Sequence, residues 1–444
     1  MLLTECGESC PSELASRTPK TGSFGALTSR IAAHSLQTKA PGFPSQRVQL
    51  EHRIFSALSM DEEELMSDTL FEVSEKHLNT GLRGIPVGTV RTSFVDPHTG
   101  LHYVGRPVSE LWQLDPEAAV YLLFNKELPN EAQLENFKLD LARRSRVDPR
   151  VIDLLKALPK DGHPMEWFIA GLTYLGMTGR TGDYQEDALN AVARMPELVA
   201  NIFRLRSGWG DPIESKPELG LVENFVQMMG VPNGDNARLT EMLRVFYVLH
   251  LDHGGGNLST FTGKAVASGL ADTYSSLAAA MAGLSGPRHG RANQDCLNFV
   301  RKVGTSDPDE VEAFVRNRLA SGGLIFGFGH AVLRAEDPRA TVQYEVGKRI
   351  CPDDPLFQTA LAMRERAVKV LKENPKISNP YPNVDAVSGT LLNAVGLTDS
   401  DFYTVLFGLS RCSGISAQII DERLVMRGGK GVPIYRCKFI AENQ

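Results

Sequence analysis

Several common signatures are missing from this chain of 444 residues. No run of 18 apolar residues occurs, so no segment is long enough to cross a membrane as a helix. No CxxC pair occurs. The six cysteines (Cys6, Cys10, Cys296, Cys351, Cys412 and Cys437) are scattered, which fits free thiols in a reducing compartment better than a disulfide framework. No concentrated block of Lys and Arg occurs, and the formal net charge is -6, which argues against nucleic acid as the partner. Neither a phosphate-loop GxxxxGK nor a GxGxxG motif is present. Between Leu14 and Leu50 there is no Asp or Glu, while Arg17, Lys20, Arg30, Lys39 and Arg47 lie among many Ser and Thr. That is transit-peptide composition, or a disordered tail. Glu5, Glu8 and Glu13 precede it, and the terminal "AENQ" is not a peroxisomal address. The expectation is a tail or transit peptide over 1–49, with a mitochondrial location, otherwise a cytoplasmic one.

What is present is ordinary for a soluble protein, at 42% hydrophobic and 23% charged residues. "VRTSFVDPHTGLHYVG" alternates and turns at "DPHTG", which predicts a β-hairpin near residues 89–105. After it the grammar is helical. "DPEAAVYLLFNKEL", "DPRVIDLLKAL" and "DPDEVEAFVRNRLASGG" each open on an Asp cap and a first-turn proline. "NARLTEMLRVFYVLH" carries apolar residues at helical spacing, and its end is expected at the glycines after His253. "YSSLAAAMAGLSG" reads as a tightly packed internal helix, "DFYTVLFGLSRCSGISAQIIDERL" as a long apolar one, and "VPIYRCKFIA" as extended. The fold class is mainly α.

Three of the ten histidines lie against glycines: His253 before Gly254, Gly255 and Gly256, His289 in "GPRHGRANQ", and His330 in "GFGHAVLRAEDPRA". Glycine lets backbone approach a ligand closely. Arg411 sits inside an apolar helix and needs an anion, either a protein carboxylate or a substrate's. Arg339 is either a solvated loop charge or a residue of the same kind. Asp385 opens a helix and is either a cap or a chemical group. Together the set suits a dicarboxylate and acid–base work on a carbonyl. His250 and His253 form an HxxH without a third ligand beside it, so no metal site is expected.

The blocks "LHLDHGGGNLSTFT", "LSGPRHGRANQ", "GFGHAVLRAEDPRA", "YPNVDAVSGTLL" and "YTVLFGLSRCSGISAQ" resemble the signature blocks of citrate synthases, in order and at the family's spacing, in the eukaryotic mitochondrial-type branch. The resemblance runs from about residue 50 to the C-terminus. It implies a two-domain, all-helical homodimer: a large domain from 50–290 and 397–444, and a small domain over 291–396. It implies Claisen-type condensation of an acyl-CoA with oxaloacetate, then hydrolysis to a citrate and CoA, as an acyltransferase of the EC 2.3.3 class. No cofactor is implied, since the CoA thioester is a substrate, and neither nucleic acid nor membrane is a partner. By resemblance Asp385 removes the α-proton, His289 holds the thioester oxygen and His330 polarises the ketone. His253, Arg339 and Arg411 hold oxaloacetate, with Arg436 reaching in from the partner subunit. Leu324, Ile325, Gly327, Gly329, Arg334 and Lys376 match coenzyme contacts.

The surroundings depart from the family pattern. Gly254 stands for Glu, Phe261 for His, Arg288 for Leu, Phe326 and Phe328 for Pro and Tyr, Ser378 for Lys, and Val387 for His; "YRCKF" replaces "ERPKS". Apolar replacements suggest a larger or greasier acyl pocket, with Phe261, Phe326 and Val387 as candidates. Each buried methylene of an alkyl chain would contribute about 0.8 kcal/mol. The expectation therefore leans to an alkylcitrate synthase of secondary metabolism using a longer acyl-CoA. The alternatives are an ordinary citrate synthase using acetyl-CoA and a 2-methylcitrate synthase using propionyl-CoA. Outside the class stand a non-catalytic helical dimer and a metal-dependent enzyme built on His250 and His253.

Overall fold

Asp–Pro pairs set the starts of many helices in this computed structural model, which describes residues 72–436 except 82–84 and 87. The acid-free stretch, the expected tail 1–49, and Cys6, Cys10 and Cys437 lie outside the described residues. Beyond a single turn at Val108–Leu111, the α-helices are α1 (Pro116–Asn125), α2 (Glu131–Arg144), α3 (Pro149–Ala157), α4 (Pro164–Gly179), α5 (Tyr184–Ser207), α6 (Leu221–Met229), α7 (Asn236–His250) and α8 (Leu258–Ser268). They continue with α9 (Thr273–Leu284), α10 (Ala292–Val303), α11 (Pro308–Ala320), α12 (Pro338–Ile350), α13 (Pro355–Lys372), α14 (Asp385–Ala394) and α15 (Tyr403–Ile420).

Asp148, Asp307, Asp337 and Asp354 each accept a backbone N–H of the following helix, and each such cap is worth about 1 kcal/mol. Asp115 does not cap α1. Its carboxylate is taken instead by Lys138 at 2.8 Å and Arg244 at 2.6 Å.

The hairpin forms where the alternation places it. Strand β1 (Ser93–Asp96) pairs antiparallel with β2 (Gly100–Tyr103), with Ser93 opposite Tyr103. A two-residue strand β3 (Arg106–Pro107), which the sequence does not signal, pairs with β2.

Helix α15 lies at the centre. All of its residues except Phe407 are buried, and it packs on α5, α9 and α7. A helix apolar on every side has no face to give to water. Gly414 makes one of its crossings feasible: a Cβ there would lie 2.1 Å from the carbonyl oxygen of Leu251. Helix α9, the small-residue helix, is sandwiched between α8 and α4.

A second apolar cluster (Phe299, Val303, Val311, Val315, Ile325, Met363, Ala367, Val370 and Leu371) lies wholly within 291–396. Ala340, Tyr344, Val387 and Leu391 of the same stretch belong instead to the main core. All described residues fall in one compact unit, Asp68–Gln444.

One expectation about a segment end needs correction. Helix α7 stops at His250, three residues before His253, because the side chain of Asp252 takes over the backbone there. Of the segment expected to be extended, residues 432–436 pair in no sheet and the rest lies outside the described residues.

Candidate active site

Two segments are zipped together, the loop that leads to His330 against the loop that leads to Asp385. Phe328 bridges Pro382 in antiparallel fashion. The N–H of Gly329 donates to Tyr381 O at 3.0 Å, and that of Asn383 to Gly327 O at 2.9 Å. Asn383 closes the joint: its Nδ2 donates to Gly329 O at 3.0 Å, and its Oδ1 accepts the Asp385 N–H at 3.0 Å. Gly327, at φ +82°, sits where a Cβ would come 2.7 Å from both Ala386 Cα and Cys296 Sγ. Asn383 therefore does the capping at the start of α14. The Asp385 carboxylate caps nothing and is left for other work. Burial pushes it up to about 6, Asp337 adds to the rise, and Arg339 and Arg411 hold it back.

Each of the three glycine-flanked histidines is held neutral, and its partners assign its tautomer. His289 Nε2 lies 3.2 Å from the Ser259 backbone N–H and 3.0 Å from its hydroxyl. The backbone donor makes Nε2 the acceptor and leaves the proton on Nδ1. Burial, with Arg411 nearby, lowers this ring to about 4. His330 Nδ1 accepts the N–H groups of Val332 and Leu333, both at 3.0 Å, so its Nε2 carries the proton. Burial and Arg339 lower its pKa. His253 Nε2 lies 3.2 Å from Arg339 Nη2. A guanidinium can only donate, so the His253 proton is on Nδ1. Burial and then Arg339 push it well below the usual histidine value. The rings of His253 and His330 are 5.9 Å apart.

The two arginines differ in one respect. Arg339 is buried and gripped by Asp337, with Nε 3.1 Å from Oδ1 and Nη2 2.7 Å from Oδ2, so it is not a solvated loop charge. Arg411 is equally buried. It donates to His250 O at 3.2 Å and Asn257 Oδ1 at 3.4 Å, and its guanidinium lies 4.7 Å from the Phe407 ring centroid. Among the described residues no carboxylate forms an ion pair with it. Burial pushes it down to about 10, against the pull of Asp252. Of the two readings open in the sequence, a structural carboxylate partner is the one not found. A buried cation without a counter-ion favours an incoming anion.

Asp252 is the functional neighbour that sequence reasoning missed. It is fully buried and accepts from Thr92 Oγ1 at 2.5 Å, Gln418 Nε2 at 2.7 Å and the His253 N–H at 2.9 Å. The only signal was its place next to His253. His250 is a core residue. Its ring stacks on Phe246 at 4.0 Å, and Nδ1 bonds Phe246 O at 2.7 Å.

The remaining candidates are spread around this centre. Leu324 is 71% exposed and Ile325 is buried in the second cluster. Gly329 continues the zipped loop. Exposed Arg334 curls back onto the carbonyls of Leu333 and Val332, at 2.8 and 3.0 Å. Lys376 and Arg436 are exposed. Arg288 is exposed too, and nothing in the structure explains it.

The three acyl-pocket candidates have different neighbours. Val387 is fully buried in the main core. The Phe261 ring packs on Tyr435 at 5.8 Å, and that of Phe326 on Phe299 at 5.6 Å. Phe326 also walls a cavity of about 310 Å³ with Phe299, Phe314, Lys302 and Arg318.

A helical fold that brings neutral imidazole donors, a raised carboxylate and an uncompensated arginine to one place defines a class of site. It is one that polarises carbonyl oxygens and moves protons on an anionic substrate. Known proteins narrow the class. The family of the citrate synthase C-terminal domain matches residues 81–437. Mitochondrial citrate synthase 4 of Arabidopsis thaliana is 37% identical over 372 residues, covering 77% of this chain and 78% of its own. The peroxisomal citrate synthase of Saccharomyces cerevisiae is 38% identical over 390 residues, covering 81% and 83%. Among solved structures, citrate synthase from Thermotoga maritima superposes with a TM-score of 0.71 at 28% identity, covering 82% of this chain and 96% of its own. The chain belongs to the citrate synthase family, transferases of the EC 2.3.3 class that condense an acyl-CoA with oxaloacetate.

Proposed function

We propose that this chain is an ordinary citrate synthase, with acetyl-CoA as its acyl donor. The observation that carries the reading is Arg411, a buried cation with no carboxylate ion-pair partner among the described residues, in a site with three neutral imidazoles. The resemblance to mitochondrial and peroxisomal citrate synthases supports the donor. Phe261, Phe326 and Val387 pack on different neighbours, so their apolar character adds no support to an alkylcitrate product.

In the proposed mechanism Arg411, Arg339 and His253 hold the oxaloacetate carboxylates. Arg436 is contributed by the partner in a homodimer. Asp385 takes the α-proton of the thioester. Even at about 6 it is far too weak a base to generate a free enolate, so the Nδ1–H of His289 stabilises the developing enol oxygen. His330 donates its Nε2 proton to the ketone oxygen as the new C–C bond forms. Water then cleaves the thioester and releases CoA. The loop 324–329, with Arg334 and Lys376, holds the coenzyme. Every step uses the chain's own acids, bases and donors. The acid-free N-terminal stretch fits mitochondrial import.

The test is release of CoA thiol by purified protein with oxaloacetate and a donor series from acetyl-CoA through propionyl-CoA to decanoyl-CoA. The highest kcat/KM is expected with acetyl-CoA. A clear optimum at a longer chain would overturn the donor assignment and restore the alkylcitrate reading.

A further inference from the structure

The three-stranded sheet in this helical fold touches both halves of the candidate oxaloacetate site. At its base, Thr92 and Ser93 are buried and reach the His253 loop. Thr92 Oγ1 donates to Asp252 Oδ2 at 2.5 Å, and Ser93 Oγ accepts the Gly254 N–H at 2.7 Å. Tyr103, on β2, donates its hydroxyl to Val248 O at 2.8 Å and accepts the Asp252 N–H at 3.4 Å. At its tip, Pro97 O accepts the Arg334 N–H at 2.7 Å. Gly100 lies so close to the Pro338 ring that a Cβ would come 2.5 Å from Pro338 Cδ. Pro338 is the first residue of α12 and precedes Arg339. A third arm comes from α15. Gln418, seven residues and so two turns beyond Arg411, donates to Asp252 Oδ1 at 2.7 Å and to Gly254 O at 3.2 Å.

We propose that the hairpin is a brace, with Thr92 and Asp252 as positioning residues that hold His253 in register with Arg339 and Arg411 and so set the affinity for the dicarboxylate. Asp252 is the hub. Its two oxygens tie the hairpin, the His253 backbone and the Arg411 helix into one unit. The Thr92 hydroxyl supplies the hairpin's bond to a charged acceptor, the stronger kind of hydrogen bond. Neither residue needs to touch the substrate. The substrate named here rests on the proposed function, and the test is therefore read first in binding rather than turnover.

The experiment is calorimetric titration of the full chain with oxaloacetate, for the unsubstituted protein, Thr92→Ser, Thr92→Val and Asp252→Asn. Thr92→Ser keeps the hydroxyl and should bind within about twofold of the parent. Thr92→Val keeps the shape, loses the donor, and should bind about tenfold or more weakly, the scale set by a hydrogen bond to a charged group. Asp252→Asn, which keeps the volume, should weaken binding similarly and guards against a Thr92→Val chain that does not fold. In turnover, KM for oxaloacetate should rise in step while kcat and KM for acyl-CoA stay within about threefold. A merely structural Thr92 would lower the melting temperature and leave the Kd unmoved. That result, or a Thr92→Ser chain as weak as Thr92→Val, overturns the brace. If the parent binds oxaloacetate but releases thiol from no acyl-CoA, the proposed reaction fails while the binding ratios still decide the brace. If the parent binds no oxaloacetate, both fall.

Discussion

Nη2 of Arg339 lies 2.7 Å from Asp337 Oδ2 and 3.2 Å from Nε2 of His253. The same guanidinium thus carries its own counter-ion and fixes the tautomer of the neighbouring imidazole. Burial alone would raise Asp337, but the charge and hydrogen bonds of Arg339 outweigh it and hold that carboxyl below the usual range. Arg411 has no such carboxylate partner among the described residues. The asymmetry distinguishes the arginines: Arg339 meets a substrate with its own counter-ion in place, whereas Arg411 meets it without one.

Replacement of Arg411 by Met should therefore separate stability from binding. Removing a buried, unpaired cation relieves a desolvation cost on the order of a few kcal/mol, partly offset by the orphaned His250 carbonyl. The melting temperature should stay level or rise. The upward shift that saturating oxaloacetate gives the parent, about 2.7 kcal/mol at a hundred times Kd, should vanish. Thermal melts with and without oxaloacetate check this. A variant that keeps the ligand shift would show that Arg411 is structural.

The pH dependence should be governed by Asp385. It must be ionised to accept a proton, and burial raises it to about 6. The kcat/KM should accordingly fall as pH drops through about 6, with one protonation on the acid limb. His289, lowered to about 4, stays neutral across that window and adds nothing to the limb. Asp385→Asn should lose on the order of a thousandfold or more in kcat and retain oxaloacetate binding by calorimetry. An acid limb that survives in this variant would assign it to another group.

The parts of this site legible in the sequence are those written as local residue types: histidines against glycines, an arginine in an apolar helix, an aspartate after two prolines. The hairpin and the capped helices followed from period and turn chemistry in the same way. What lay hidden was pairing across the chain. Thr92 and Asp252 are 160 residues apart, and neither is unusual where it stands. Asp115 looks like its neighbouring caps in sequence, yet Lys138 and Arg244 outbid the helix for its oxygens. The pocket suggested by Phe261, Phe326 and Val387 was read from apolar character alone. Apolar character is readable from a sequence, but the direction in which a side chain packs is a tertiary property.

Gly327→Ala should damage activity through the backbone. The residue is held at φ +82°, a region that L side chains rarely adopt, and its new Cβ would press on Ala386 and Cys296. Overpacking of this kind costs about 1–3 kcal/mol, with the left-handed conformation adding about 1 more. The strain falls on the first turn of α14, so kcat should drop more than oxaloacetate affinity does. Comparison of kcat with the calorimetric Kd tests that order.

Among the described residues, Lys264 and Glu422 form the most deeply buried ion pair outside the proposed substrate-binding residues. They lie 2.8 Å apart, with side chains 5% and 3% exposed, and the Tyr435 hydroxyl donates to Glu422 at 3.4 Å. In water such a pair would contribute little. Here each member is costly without the other, because the survivor keeps its desolvation penalty and loses its compensation. Glu422→Gln should therefore destabilise the protein by about 3–5 kcal/mol, whereas Lys264→Met combined with Glu422→Leu should come close to the parent. Denaturant unfolding of the two variants measures both. Because Tyr435 leans on Glu422 and its ring on Phe261, the single substitution should also loosen the segment that carries Arg436. The double substitution should restore stability without restoring the tyrosine's hydrogen bond. If the two variants prove equally unstable, the pair's worth lies in that bond and its packing rather than in mutual charge compensation.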